Sequence, residues 1–461
     1  MSLWRTAELA AIGTLRAPID ASGVSIDTRT LRPGDLFIAL QGEHSDGHAH
    51  VAAALAAGAA GAMVSRLDGL ESDALLLVDD TLAGLHRLGA AGRARFRGQT
   101  VAITGSVGKT STKEMLRTLL SDQLATHAAE ASYNNHWGVP LTLARLPADA
   151  ACCVVEIGMN HAGEILPLAR LAAPDVAVIT AVEAAHIGHL GSLEAIADEK
   201  ASIAGGLRAG GTLVLPAAHA LDSRLRAAAG GARIVSFGEA ADADVRLLAF
   251  DGDASGSRFT ADVASRTVQV RLGVPGRHMA RNALAALAAA LAMGVDVDRA
   301  AASLARFAAV AGRGATRPIL GGRAVLLDES YNASAAAVRA ALQVLAMLPA
   351  RRRVVVLGDM LELGEAGPAE HLGLAPALAE VADLVFACGP LTGQLFDVIP
   401  PRIRGAYATD SAALAPLVAA AVAPGDAVLV KGSLGSRMRW VVKALEALDA
   451  GPAAGESGDA A

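Results

Sequence analysis

Gly105, Gly108, Lys109 and Thr110, in the stretch VAITGSVGKTSTKEML (residues 101–116), carry the most specific chemistry in this chain. Glycines can take backbone angles closed to other residues, and they let main-chain N–H groups close on a phosphate. A helix beginning at Lys109 would point its positive N-terminal end at the same anion. Lys109 can neutralise terminal phosphate oxygens, and the Thr110 hydroxyl can ligate Mg²⁺. A glycine turn merely capped by Thr110 would require neither an apolar strand before it nor a lysine after it. The pattern therefore predicts ATP or GTP hydrolysis, with the nucleotide not decided by the loop. The loop is also short, because Ile103 stands where the longer pattern has its first glycine.

Three more residues follow in positions that suit the same site. Glu156 ends the strand-like ACCVVE, where parallel sheets gather their ligands. His186, in EAAHIGHLGS, follows the next strand candidate, and Lys200, in ADEKAS, follows on a helix. Alone, each has a plain explanation: a solvated glutamate, a loop histidine, an exposed helix lysine. Together, two oxygen or nitrogen donors near a phosphate are what a second Mg²⁺ requires. The lysine is the odd member, since an ammonium repels a metal.

The elements that must position these groups form an alternating series. At 461 residues the chain is too long for one core, and about three domains are expected. A first zone, 1–97, has strand candidates GDLFIAL and ALLLVDD with a helix-like HAHVAAALAAGA. The second, 98–312, opens with TVAITG and continues through ACCVVEIG, DVAVITAV and GGTLVLP, separated by helical stretches. That alternation predicts an α/β fold with a parallel sheet covered on both faces. Between about 232 and 275, shorter pieces (ARIVSFG, DVRLLAF, RFTADVA, TVQVRLGV) predict an antiparallel patch added to the sheet. A hinge is expected at AGRGATRP, followed by a second α/β unit over 313–450 with strands AVLLDES, RRVVVLGD, ADLVFACG and DAVLVKG. The small, polar tail 451–461 is expected to be disordered.

Composition narrows the partners. A net charge of -6 and an aromatic content of 3 % argue against a sequence-blind or base-stacking nucleic-acid binder, although clefts can still be locally basic. The N-terminus has no basic segment leading into an apolar one, so no signal peptide is expected. Uncharged runs such as VAAALAAGAAGAMV are too short and too rich in Ala and Gly for a membrane span. Cys152 and Cys153 are adjacent on a strand and must face opposite ways, and Cys388 ends another strand. Buried thiols in a reducing cytoplasm are the simplest reading.

The ordered blocks of this chain closely resemble the Mur ligase family. TGSVGKTS is similar to that family's short loop, and YNNHWGVP and EIGMNHAGEI to the blocks after it. GRHMARNALAA resembles the adenine-side block, AGRGATRP the hinge, LLDESYNAS the ATP-contacting start of the last domain, and GDMLELG and VKGSLGSR its later loops. SIDTRTLRPGDLFIALQGEHSDGH is similar to the first domain of two branches of the family.

The resemblance implies roles. The loop residues Thr104, Gly105, Ser106, Val107, Gly108, Lys109, Thr110 and Ser111 would hold ATP, with Asn282 at adenine and Arg313 on the phosphates once the last domain closes. Asp328 would bind ribose, with Tyr331 and Asn332 near the nucleotide. Ser25, Asp27, Arg29, Asn134 and Asn135 would hold the UDP-sugar-peptide; Asp27 and Arg29 could equally be a surface pair and the asparagines turn residues. Lys200 would be carbamylated by CO₂, turning a cation into a carboxylate-like group that supports one of two Mg²⁺ ions beside Thr110, Glu156 and His186. Relatives often carry an acidic residue two positions after this lysine, where Ser202 stands here. His186 can also be read as a general base for the incoming amine; its position in the family favours the metal side.

Within the family, DESYNAS and GDMLELGE resemble the branch that adds D-alanyl-D-alanine to UDP-MurNAc-tripeptide in cell-wall precursor synthesis. The branch adding a single amino acid has a DYAHTPD block and, when that amino acid is diaminopimelate, a DNPR-like stretch; neither occurs here. The implied reaction is ATP-dependent amide-bond formation through an acyl phosphate by a cytoplasmic, monomeric enzyme. Two competitors are a nucleotide-gated switch and an inactive binder of wall precursors. The first usually reads guanine with an [NT]KxD motif, which is absent; the second does not need Lys109, Thr110, Glu156, His186 and Lys200 together.

Overall fold

The computed structural model describes residues 2–42, 45–184 and 187–449. The tail expected from 451 and His186 lie outside them. Three sheets succeed one another along the chain. The first has five strands in the order Thr14–Leu15, Leu75–Leu77, Gly61–Val64, Asp35–Ile38 and Gly23–Ser25, parallel except at the Thr14–Leu15 edge. The helix expected in HAHVAAALAAGA is a 3₁₀ turn, Gly47–His50, running into the short helix Val51–Ala56. Asp46 caps it by accepting from the His48 N–H, and the chain leaves through Gly58 at φ 94°.

The middle sheet has nine strands. From one edge they run Arg266–Leu272, Gly256–Val263, Val245–Asp253, Arg233–Gly238, Thr212–Pro216, Val176–Ile179, Gln99–Thr104, Cys152–Glu156 and Thr126–Ala128. Successive residues of the central strand face opposite layers, as the period of two requires. Val101 and Ile103 pack with helices Lys109–Ser121 and Arg277–Met293 on one side. Ala102 packs with Ile165, Leu168 and Ile196 on the other. The alanines of Arg277–Met293 let that helix sit close on the sheet.

The expected antiparallel patch is corrected at its start. Arg233–Gly238 pairs parallel with Thr212–Pro216, because the connection through helix Asp222–Ala227 is a crossover. Antiparallel pairing begins only between Val245–Asp253 and Gly256–Val263, joined by a tight turn, and continues with Arg266–Leu272.

The third sheet orders Ala315–Ile319, Ala324–Glu329, Asp426–Lys431, Arg352–Gly358, Leu384–Cys388 and Arg404–Ala408. Only the Ala315–Ile319 edge is antiparallel. The hinge motif thus divides. Gly312 and Gly314 turn at φ 75° and 90°, and the residues after them become an edge strand, where Pro318 needs no ladder N–H on its open side. Cys152, Cys153 and Cys388 are free and buried. Burial pushes the thiols of Cys152 and Cys388 up to about 12, and that of Cys153 upward as well. Among the described residues no helix is long and apolar enough to cross a membrane.

Candidate active site

The central strand Gln99–Thr104 delivers the chain to the C-terminal edge of the middle sheet, where it turns through Gly105 (φ 148°) and Gly108 (φ 83°) into helix Lys109–Ser121. Both glycines are required by space as well as by angle. A Cβ on Gly105 would lie 1.9 Å from Thr180 Oγ1, and one on Gly108 2.3 Å from Asn282 Oδ1. The loop is fastened to the segment after strand Val176–Ile179. Ser106 N donates to Ala181 O at 2.8 Å, Ser106 Oγ donates to Glu183 O and accepts from Glu183 N at 2.9 Å each, and the Thr180 hydroxyl reaches Val107 O at 2.6 Å.

Lys109 arches back over this loop, its Nζ donating to Gly105 O at 2.7 Å. Desolvation lowers its pKa, with Glu156 opposing and Arg313 adding to the effect. Glu156 is fully buried. It accepts from Thr110 Oγ1 at 2.9 Å and from Asn134 Nδ2 at 2.8 Å. Thr110 Oγ1 also lies 3.2 Å from Ser132 Oγ, which accepts from Arg313 Nη2 at 2.9 Å. The Arg313 guanidinium stacks on the Tyr331 ring at 3.8 Å. One polar chain therefore runs from the hinge, through Ser132 and Thr110, to Glu156.

A carboxylate and a hydroxyl beside a cradle of N–H groups are hard oxygen donors that suit Mg²⁺, which takes one or two protein oxygens and completes its shell with water and phosphate. Among the described residues no group of three or more His, Cys, Asp or Glu side chains converges to hold a metal by protein ligands alone.

Lys200 is 1 % exposed on helix Leu193–Ala201. Desolvation and then the like charge of Lys109 push its pKa well down. Its neighbour Glu199 is turned elsewhere, accepting from Gly163 N and Ile165 N at 2.7 and 2.8 Å and so capping helix Ile165–Ala172. Ser202 Oγ donates to Glu199 O at 2.6 Å, a local backbone contact. Beyond His186, helix Ile187–Leu190 touches the last part of the chain: Gly188 N donates to Glu362 O at 3.0 Å. A Cβ on Gly188 would lie 2.5 Å from Gly364 N.

Family models match this chain in the order of its sheets. Residues 20–80 match the Mur ligase family, catalytic domain; 103–290 match the Mur ligase middle domain; and 312–434 match the Mur ligase, glutamate ligase domain. The chain belongs to the Mur ligase family. It is 36 % identical to the UDP-N-acetylmuramoyl-tripeptide--D-alanyl-D-alanine ligase of Escherichia coli (strain K12), over 93 % of this chain and 95 % of that one. It is 34 % identical to the ligase of the same name from Bacillus subtilis (strain 168), over 92 % and 93 %. MurF from Acinetobacter baumannii superposes with a TM-score of 0.85 at 30 % identity, covering 97 % of this chain and all of that one. MurF from Thermotoga maritima, in complex with ADP, gives 0.79 at 27 % identity, covering 93 % and 98 %.

The remaining candidates of this Mur ligase fall into two groups. Asn282 backs the phosphate loop, and Tyr331 carries Arg313, so both lie at the same mouth. Asp328 is engaged on every side: Oδ2 accepts from Gly312 N at 3.1 Å and Arg317 Nη2 at 2.5 Å, and Oδ1 from Ser330 N at 3.1 Å and Ser330 Oγ at 2.6 Å. It clasps the hinge turn. Asn332 Oδ1 accepts from Ala333 N, and its carbonyl from the buried Lys431. In the first sheet, Ser25 Oγ donates to Asp27 O, and Asp27 and Arg29 pair with each other at 2.6 Å, the arginine side chain 87 % exposed. Asn134 belongs to Glu156. Asn135 Oδ1 accepts from Gly138 N at the start of helix Gly138–Ala144, and the residue lines a cavity of about 170 Å³ with His86, His136, Gly158 and Glu164.

Thr180, Ser132 and Lys113 were not singled out from sequence. Ser132 directly precedes the YNNHWGVP block, and Lys113 lies one helical turn after Lys109; those placements are the signals that could have found these two.

Proposed function

We propose that this Mur ligase joins D-alanyl-D-alanine to UDP-MurNAc-tripeptide with cleavage of ATP to ADP and phosphate, in cell-wall precursor synthesis. The observation that carries the reading is the Lys109–Thr110–Glu156 constellation on the phosphate loop, in a chain whose relatives bear that ligase's name over nine-tenths of its length.

A carboxylate does not condense with an amine at neutral pH, because its oxygen is a poor leaving group. The terminal carboxylate of the tripeptide attacks the γ-phosphorus, giving an acyl phosphate and ADP. The dipeptide amine then attacks the acyl carbon, and phosphate departs from the tetrahedral adduct. Two anions meet in the first step, and the cationic heads of Lys109 and Arg313 offset their repulsion. Thr110 and Glu156 would hold Mg²⁺, with His186 the candidate for a second ion, and the metal would supply further charge neutralisation at the phosphates. The loop N–H groups and helix Lys109–Ser121 orient the phosphates, while Asn282, Tyr331 and Asn332 flank the nucleoside. A ribose contact from Asp328 would have to replace one of its four intrachain donors.

In this reading residues 1–97 with Asn134 and Asn135 receive the UDP-sugar-peptide, Ser25, Asp27 and Arg29 lying on that side; 98–312 holds ATP; and 313–450 closes over it with the dipeptide and excludes water. Lys200 acts as a carbamate. Burial and Lys109 favour its neutral amine, the form that adds to CO₂. The enzyme works as a cytoplasmic monomer. Phosphate release from ATP should require both UDP-MurNAc-tripeptide and D-Ala-D-Ala; faster release with the dipeptide precursor and a free amino acid would refute the assignment. Lys200→Ala should lose activity, and full retention would dismiss the carbamate.

A further inference from the structure

Helix Lys109–Ser121 carries a second lysine that the reaction above does not use. Lys113 is fully buried. Its Nζ donates to Ala129 O at 2.8 Å and to the Ala131 carbonyl, and it pairs with Glu114 Oε1 at 3.0 Å. Glu156 Oε2 stands 4.0 Å away. A buried ammonium is costly unless it is paired and hydrogen-bonded, and this one has both forms of compensation.

The two carbonyls belong to the segment that follows edge strand Thr126–Ala128. Within it Ala131 holds φ at 46°, in the left-handed region that disfavours a residue with a Cβ. That turn sends Ser132 to Thr110 and Arg313, and Asn134 to Glu156. Lys113 grips the segment from beneath while Ser132 and Asn134 work above it.

We propose that Lys113 is the positioning residue of the metal side of this site, clamping residues 129–134 so that Ser132, Asn134 and Glu156 stand in register with Thr110 before the nucleotide arrives. The proposal rests on Thr110 and Glu156 being the Mg²⁺ end of the site. A purely electrostatic role would have the opposite sign: a positive charge behind a metal-binding carboxylate repels the cation, so deleting it would tighten Mg²⁺ binding.

The test is calorimetric binding of ADP to the full chain, at saturating Mg²⁺ and in EDTA. Lys113→Met should leave metal-free ADP affinity unchanged and cut the gain conferred by Mg²⁺ by about tenfold or more, the range seen when partners of metal ligands are removed. Lys113→Arg, which keeps the charge but not the compact head, should lose part of the gain, and it is the variant to use if Lys113→Met does not fold. Ala131→Gly placed in either variant should recover part of the loss, since glycine accepts the left-handed turn. A variant that melts earlier yet keeps the full Mg²⁺ gain, or gains more, overturns the proposal. A wild-type protein whose ADP affinity ignores Mg²⁺ would sink the reading of Thr110 and Glu156, and this proposal with it.

Discussion

The middle and third sheets are built alike, with parallel strands, helices on both faces and loops gathered at one end, yet their mouths differ in how charge is treated. At the middle mouth, among the described residues, Glu156 accepts at hydrogen-bond distance from the neutral Thr110 and Asn134, and Lys109 and Lys200 are held at depressed pKa by burial. At the third mouth the charges are spent internally. Asp328 takes four donors, Asp359 Oδ1 takes Thr392 N and Oγ1 at 2.7 and 2.6 Å, and Lys431 binds Glu329 and Asn332 O. A mouth that carries poorly compensated charge gains when a ligand brings the missing partners. A mouth that is already compensated gains less from a ligand.

The largest test of this contrast lies at the middle mouth. Lys109→Ala and Glu156→Gln should each lower the turnover rate by roughly 10³-fold, read by phosphate release, with melting temperatures close to wild type. Comparable losses of folding stability would erase the distinction. Next comes the third mouth, where the signs reverse. Asp328→Asn should cost about 2–3 kcal/mol in urea unfolding, because Arg317 and the hinge N–H lose a charged acceptor, while ADP affinity changes less than threefold (about 0.6 kcal/mol). A large loss of ADP affinity with normal stability would instead make Asp328 a nucleotide ligand. Ser132→Ala sits between the two mouths; it should reduce kcat by roughly tenfold, with little change in metal-free ADP binding. The smallest effect concerns the cores, which the contrast holds to be equally closed. Thiols pushed up to about 12 in Cys152 and Cys388 should resist iodoacetamide near neutral pH in the native protein and react after unfolding. Rapid native labelling of one would show that core to be open.

Much of this was legible in the sequence, and for traceable reasons. TVAITG, ACCVVE and DVAVIT are short apolar runs bounded by turns, and periodicity reads such strands well. The glycine loop was legible because its angles admit few other residues. What escaped depended on partners distant in sequence. The edge strand Ala315–Ile319 contains Pro318 and follows two glycines, so local signals read as hinge alone. Arg233–Gly238 looked like its antiparallel neighbours, since nothing within a strand declares its direction. Asp27 and Arg29 read from sequence as either substrate contacts or a surface pair; they do pair with each other, and nothing in their spacing signals whether a substrate sits above them. Lys113 was passed over because a lysine on a helix is ordinarily exposed, and only the loop that folds over it reveals the burial.

The seam at helix Ile187–Leu190 is set by glycine. Where Gly188 meets Glu362 and Gly364, two peptide backbones touch, and the two glycines bring no side chain to the meeting. A Cβ on Gly188 would lie 2.5 Å from Gly364 N, and one on Gly364 2.8 Å from Gly188 Cα. The closeness of the two segments therefore depends on the absence of two methyl groups, and Gly188→Ala should widen the gap between them.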